Sequence, residues 1–134
     1  MSELTEIDHV AIAVHDLEAA IAYYRDTFGA EVTHREVVER DGVEEALLRV
    51  ADSYIQLLTP VRDDSPVAKS LASRGEGLHH VGYRVADCAA ALARVKAEGR
   101  RVIDEEPRPG SRGTTVAFLH PTSAFGTLIE LVQE

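Results

Sequence analysis

Four side chains have the types and the spacing to hold a metal ion: His9, Gln56, His80 and Glu130. Two imidazoles, an amide oxygen and a carboxylate form a mixed nitrogen and oxygen donor set, suited to a divalent first-row metal that keeps positions open for a substrate. Around a 2+ ion this set stays net positive, so it attracts a carboxylate or an enolate oxygen. The spacing reveals a duplication. His9 and His80 are 71 residues apart, as are Asp16 and Asp87, while Gln56 and Glu130 are 74 apart and Gly29 and Gly99 are 70 apart. Ile7-Asp8-His9-Val10-Ala11-Ile12-Ala13-Val14 reads like Leu78-His79-His80-Val81-Gly82-Tyr83-Arg84-Val85, and Tyr54-Ile55-Gln56-Leu57-Leu58 like Leu128-Ile129-Glu130-Leu131-Val132. A lone strand histidine is usually a packed or surface residue. Recurrence at equivalent places in two copies lifts these four above that reading. His80 rather than His79 aligns with His9, and alternation along a strand puts His79 on the opposite face.

The elements that must position these groups follow the same twofold order. Residues 7–14 have the β-branched content of a strand, and Asp16 can cap a helix whose Leu17, Ala20, Ile21 and Tyr24 recur at helical spacing before Phe28-Gly29 ends it. Extended runs are expected at 30–39, 44–50 and 53–60, the first two joined by the hairpin signal Arg40-Asp41-Gly42. Asp63-Asp64-Ser65-Pro66 opens a short helix through Val67, Ala68 and Leu71. The second copy predicts a strand at 78–85, a helix from Asp87 to Glu98, and extended runs near 101–104, 114–119 and 127–133. The fold class is therefore α+β, with the order βαβββ twice. We expect one domain over 1–134, with modules at about 5–61 and 77–134 and an inter-module helix at about 64–76. A loop rich in Gly, Pro and Arg, residues 106–113, stands where the first copy has its hairpin, and loops of that length usually meet a ligand or a partner.

Alternation places His9, Ala11 and Ala13 on one strand face, and Tyr54, Gln56 and Leu58 on another, so pairing the copies by pseudo-symmetry is expected to bring the four donors onto one sheet surface. At 134 residues, each half alone would be marginal as a core. A net charge of −9 and the absence of Trp argue against a nucleic-acid partner, which would need clustered positive charge and stacking platforms. No apolar run approaches a membrane span and the N-terminus has no signal-peptide pattern, so the expected setting is cytoplasmic, without a membrane partner. The single Cys88 fits a reducing compartment and reads as a small packing residue at a helix start.

The chain resembles the vicinal oxygen chelate (glyoxalase-fold) superfamily over its whole length and, within it, is similar to the methylmalonyl-CoA epimerases. The resemblance rests on Ile7 to Ile12, Gly42-Val43-Glu44-Glu45-Ala46-Leu47, Tyr54 to Leu58, Gly75-Glu76-Gly77-Leu78-His79-His80, Pro107 to Gly113 and Phe118-Leu119-His120-Pro121 taken together. It implies paired βαβββ modules in a half-open, eight-stranded barrel, a metal held by His9, Gln56, His80 and Glu130, and a homodimer. Cobalt is the first choice of ion, with manganese, magnesium, nickel or zinc able to occupy the same shell. The implied reaction interconverts (2R)- and (2S)-methylmalonyl-CoA by α-proton removal and return through an enolate. Glu45 carries the base role by resemblance, with Glu130 as the second base. Lys69, Arg74, Arg108 and Arg112 are candidate partners for the CoA phosphates, and His120 is a subsidiary candidate at the substrate. The nearest rival is a glyoxalase-I-type lactoylglutathione lyase, and Gln56 and Glu45 weigh against it. An extradiol dioxygenase would need a two-His, one-carboxylate iron site with more open positions than Gln56 leaves. A non-catalytic, resistance-type binding protein of the same fold would generally need no intact four-ligand site.

Overall fold

Asp16 starts the first helix by accepting the Ala19 N–H at 3.0 Å, and Gly29 ends it in the left-handed region at φ 70°. Asp87 repeats the cap at the second copy, accepting from the Ala90 N–H at 3.0 Å. The computed structural model describes residues 2–134. The elements run β1 (Leu4–Ala13), α1 (Leu17–Phe28), β2 (Val32–Val38), β3 (Val43–Val50), β4 (Ser53–Pro60), α2 (Pro66–Arg74), β5 (Gly77–Val85), α3 (Cys88–Ala97), β6 (Arg108–Pro109), β7 (Thr115–Leu119) and β8 (Ile129–Gln133). Short 3₁₀ turns lie at Ser111–Gly113 and Pro121–Ala124. The two βαβββ series expected from the duplication are present.

The chain packs as two compact units, and their border does not follow the repeat. One unit joins the N-terminal residues through His9 to His80–Glu134, and the other is Val10–His79. β1 runs from one into the other.

In the Val10–His79 unit, β2, β3 and β4 form antiparallel hairpins with β4 next to β1, and the register sets Leu47 opposite Gln56 and Glu45 opposite Leu58. Glu45 through Leu48 are all buried, because β3 is covered on both faces. Ala46, Leu48 and Leu57 pack with Leu17 of α1, while Val43 and Leu58 pack with Val67 and Leu71 of α2. Pro66 opens α2 behind Ser65, whose hydroxyl accepts the Val67 N–H at 3.2 Å.

In the other unit the strand order is β1-β5-β8-β7-β6, with β5 and β8 parallel and β7 antiparallel to both β8 and β6. Its core sets Cys88, Ala91 and Leu92 of α3 against Val85, Ala117, Leu119 and Leu131. Burial of a leucine such as Leu92 contributes roughly 1.5–3 kcal/mol. Burial also pushes the Cys88 thiol up to about 11, which suits packing and not nucleophilic chemistry.

One expected strand moves. Residues 101–104 make a single bridge, Val102 with Leu119, and the sixth strand is Arg108–Pro109 inside the loop rich in Gly, Pro and Arg. The cause is Asp104. Its carboxylate takes the Phe118 N–H at 2.8 Å, and the Ile103 and Asp104 N–H groups both turn to the Phe118 carbonyl, so the segment bends instead of extending a ladder.

Candidate metal centre

His9, His80 and Glu130 come together in the unit that holds the chain's N-terminal residues and its last third. They are 4%, 6% and 8% exposed, which for an anion and two imidazoles requires close partners. The Nε2 atoms of the two histidines lie 2.9 Å apart, and Glu130 Oε1 is 2.9 Å from His9 Nε2 and 3.0 Å from His80 Nε2. Three bonds of about 2.1 Å at right angles would set their donor atoms about 3.0 Å apart, so this triangle fits three adjacent corners of an octahedral ion.

Strand register builds the triangle. Glu130 on β8 sits opposite Gly82 on β5 and Phe118 on β7. Gly82 makes room for the His9 ring: a Cβ there would lie 2.2 Å from His9 Cε1. The His80 ring packs edge-on with His9 and with Phe118, at centroid distances of 5.0 and 5.2 Å.

Behind His9 stands a carboxylate that sequence reasoning passed over as a functional group. Asp8 is fully buried, and its Oδ2 lies 2.7 Å from His9 Nδ1. Arg84 reaches its Oδ1 through Nε at 3.0 Å and Nη2 at 2.7 Å, and Arg112 reaches Oδ2 at 2.8 Å. The two guanidiniums also contact Glu134. The signal for Asp8 was in the sequence: an acid inside an apolar strand, beside a candidate ligand.

Electrostatics follow from these contacts. Burial acts to lower the His9 pKa, but the Asp8 and Glu130 carboxylates outweigh it and raise it to about 9. Burial would raise Glu130, yet hydrogen bonds and charge from His80 and His9 hold it well below the usual carboxylate range. Asp8 is likewise lowered, its burial overcome by His9, Arg84 and Arg112. The Asp8 and Glu130 carboxylates thus flank the His9 imidazole, one at each ring nitrogen.

Gln56 and Glu45 belong to the other unit, where they are joined to each other. Gln56 Nε2 donates to Glu45 Oε1 at 2.9 Å, and the side chains' residues are 8% and 2% exposed. That donation orients the amide, and Gln56 Oε1 is buried with no hydrogen-bond partner among the described residues. A buried acceptor left in this state is what a metal ligand requires.

The remaining candidates are dispersed. Lys69 and Arg74 lie exposed on α2, with Arg74 donating to Ser70 Oγ at 2.9 Å. Arg108 is half-buried, 3.2 Å from both Asp104 oxygens and 5.4 Å from the centre of the Phe118 ring. Arg112 is held by Asp8 and Glu134. His120 Nδ1 accepts the Thr122 N–H at 3.1 Å and caps the Pro121–Ala124 turn.

Two histidines and a carboxylate at adjacent corners of a buried triangle, on a duplicated βαβββ chain, form a site that could hold a metal ion. Known proteins give the class. Residues 8–118 match the family described as the Glyoxalase/Bleomycin resistance protein/Dioxygenase superfamily. The chain is 43% identical to the ethylmalonyl-CoA/methylmalonyl-CoA epimerase of Cereibacter sphaeroides, over 95% of this chain and 96% of that one. It is 49% identical to a methylmalonyl-CoA epimerase solved in complex with methylmalonyl-CoA and NH4+, with a TM-score of 0.94 over 98% of this chain and 95% of the other. A variant of the Streptomyces coelicolor methylmalonyl-CoA epimerase in complex with 2-nitronate-propionyl-CoA is 48% identical, with a TM-score of 0.95 over the same shares. The chain belongs to the glyoxalase superfamily and, within it, to the family of the methylmalonyl-CoA epimerases.

Proposed function

We propose that the chain is a methylmalonyl-CoA epimerase, interconverting the (2R) and (2S) thioesters by removing the α-proton and returning one to the opposite face. The reaction asks for a base on each side of the carbon and for positive charge where the enolate forms. A divalent ion held by His9, His80 and Glu130, with Gln56 Oε1 as the fourth protein donor, supplies that positive charge when bound. Cobalt is the proposed ion, one of several divalent ions that an N₂O₂ donor set can hold.

The observation that carries the reading is the buried Glu45–Gln56 pair. A carboxylate 2% exposed on an apolar strand needs close polar partners, and the Gln56 amide donates to its Oε1 at 2.9 Å. Glu45 is the proposed base for one face. Glu130, already at the triad, is proposed for the other. The CoA phosphates are assigned to cationic side chains among Lys69, Arg74, Arg108 and Arg112, with His120 near the substrate; loss of a true phosphate contact raises KM with little change in kcat. The chain is proposed to act as one domain over 1–134, built of modules 5–61 and 77–134 around the helix at 64–76, and as a cytoplasmic homodimer. Family likeness supports the dimer and the lone Cys88 supports the compartment. Among the described residues, no helix is long and apolar enough to cross a membrane.

Incubating cobalt-loaded protein with methylmalonyl-CoA in deuterated water tests the reaction directly. Deuterium should enter the α-position, and Glu45→Gln should slow entry at least 100-fold with metal retained, in line with the loss of a general base. Absence of exchange with every divalent ion would remove the epimerase reading, and full activity in Glu45→Gln would remove Glu45 as base.

A further inference from the structure

Asp8 is fully buried, yet it neither faces solvent nor belongs to the triad, and each of its oxygens is committed. Oδ1 accepts from Arg84 Nε and Nη2 at 3.0 and 2.7 Å; Oδ2 accepts from Arg112 Nη2 at 2.8 Å and lies 2.7 Å from His9 Nδ1. An ionised carboxylate only accepts, so the short contact requires a proton on His9 Nδ1. That leaves His9 Nε2, the atom 2.9 Å from both His80 Nε2 and Glu130 Oε1, as the nitrogen whose lone pair can be offered to an ion.

The clamp is built from distant parts of the chain. Arg84 comes from β5. Arg112 comes from the tight Ser111–Gly113 turn, where it sits at φ 57°, and the turn is closed by the Gly110 N–H on the Thr114 carbonyl at 2.9 Å. A non-glycine residue in the left-handed region is held there at some cost, and here the guanidinium is delivered to a buried anion. We propose that Asp8 is the positioning residue for His9: fixed by Arg84 and Arg112, it holds the Nδ1–H tautomer, aims Nε2 at the metal position, and ties the 110–113 loop to the triad. The proposal rests on the metal reading of His9, His80 and Glu130.

Asp8→Asn is the discriminating variant. The asparagine keeps the shape, removes the charge, and can turn an NH₂ toward Nδ1, which would invert the tautomer. Zinc affinity should fall 10- to 100-fold, as for other partners that orient a ligating histidine. In ¹⁵N-labelled, zinc-loaded wild type, His9 should show a protonated Nδ1 with a downfield proton and a metal-bound Nε2, and the downfield signal should vanish in Asp8→Asn. Arg112→Gln, which keeps the carboxylate and cuts the tie to the loop, should weaken zinc binding several-fold and preserve the Nδ1 proton. Folded Asp8→Asn with wild-type affinity and an unchanged imidazole spectrum would overturn the proposal. If Asp8→Asn does not fold, wild type and Arg112→Gln decide: ligation through Nδ1, or unchanged affinity in Arg112→Gln, overturns it. Failure of wild type to bind zinc or cobalt would instead sink the underlying metal reading.

Discussion

At the scale of single residues, an ion bound at the proposed centre would have to displace a proton from His9. His9 is raised to about 9 by Asp8 and Glu130, so near neutral pH the metal-free protein carries a proton that a ligated Nε2 cannot keep. Metal binding at pH 7.5 should therefore release protons, and affinity should rise with pH until about 9. Calorimetric titration in buffers of different ionisation enthalpy reads this directly: apparent enthalpies that do not vary with the buffer would contradict the raised His9. His9, His80 and Glu130 were legible in the sequence because duplication repeats the donors at matching places. Asp8 stood out only as an acid inside an apolar strand; its role depends on Arg84 and Arg112, 76 and 104 residues away, and no local pattern announces those contacts.

Among the elements, the parallel pairing of β5 with β8 sets the site, because it places Gly82 beside Glu130. The second copy has Gly82 where the first has Ala11, and the missing methyl is the space taken by the His9 ring. Gly82→Ala should drive that ring out of the triangle, lowering metal affinity at least ten-fold, with an overpacking cost of about 1–3 kcal/mol. Circular dichroism alongside metal titration checks it; an alanine variant that binds metal normally would show that the ring can shift harmlessly. The helices were readable from their caps, Asp16 and Asp87, and β4 from its apolar run. The strand expected at 101–104 was misplaced because Asp104 spends its carboxylate on the Phe118 N–H and on Arg108, a tertiary bond that overrides local extended preference.

Across the whole molecule, ion binding and stability are linked. An ion that binds the folded state alone stabilises it by about 2.7 kcal/mol at one hundred times its dissociation constant. For a chain of this size that corresponds to a rise of roughly 5–15 °C in Tm. The pH dependence should differ between the two forms, falling in the metal-free protein and flattening in the loaded one. In the metal-free protein the folded His9 pKa, about 9, exceeds the ordinary value of 6.5, so its contribution is complete below pH 6.5 and is lost as pH rises through 9. In the loaded protein the ion's contribution grows over the same range, as competition from protons fades. Thermal melts with and without chelator, from pH 6.5 to 9, should diverge; parallel curves would contradict the linkage.

The border between the two units falls after His9, inside β1, and that has a consequence for how such a chain could have arisen. The second copy by itself brings His80 and Glu130, and the third corner of the triangle comes from the first strand of the other copy. An ancestor one copy long could have closed the same triangle only by lending its opening strand to a sister molecule. With both copies in one polypeptide that loan is built in, and the copies can differ where the triangle needs it, Ala11 in the first and Gly82 in the second.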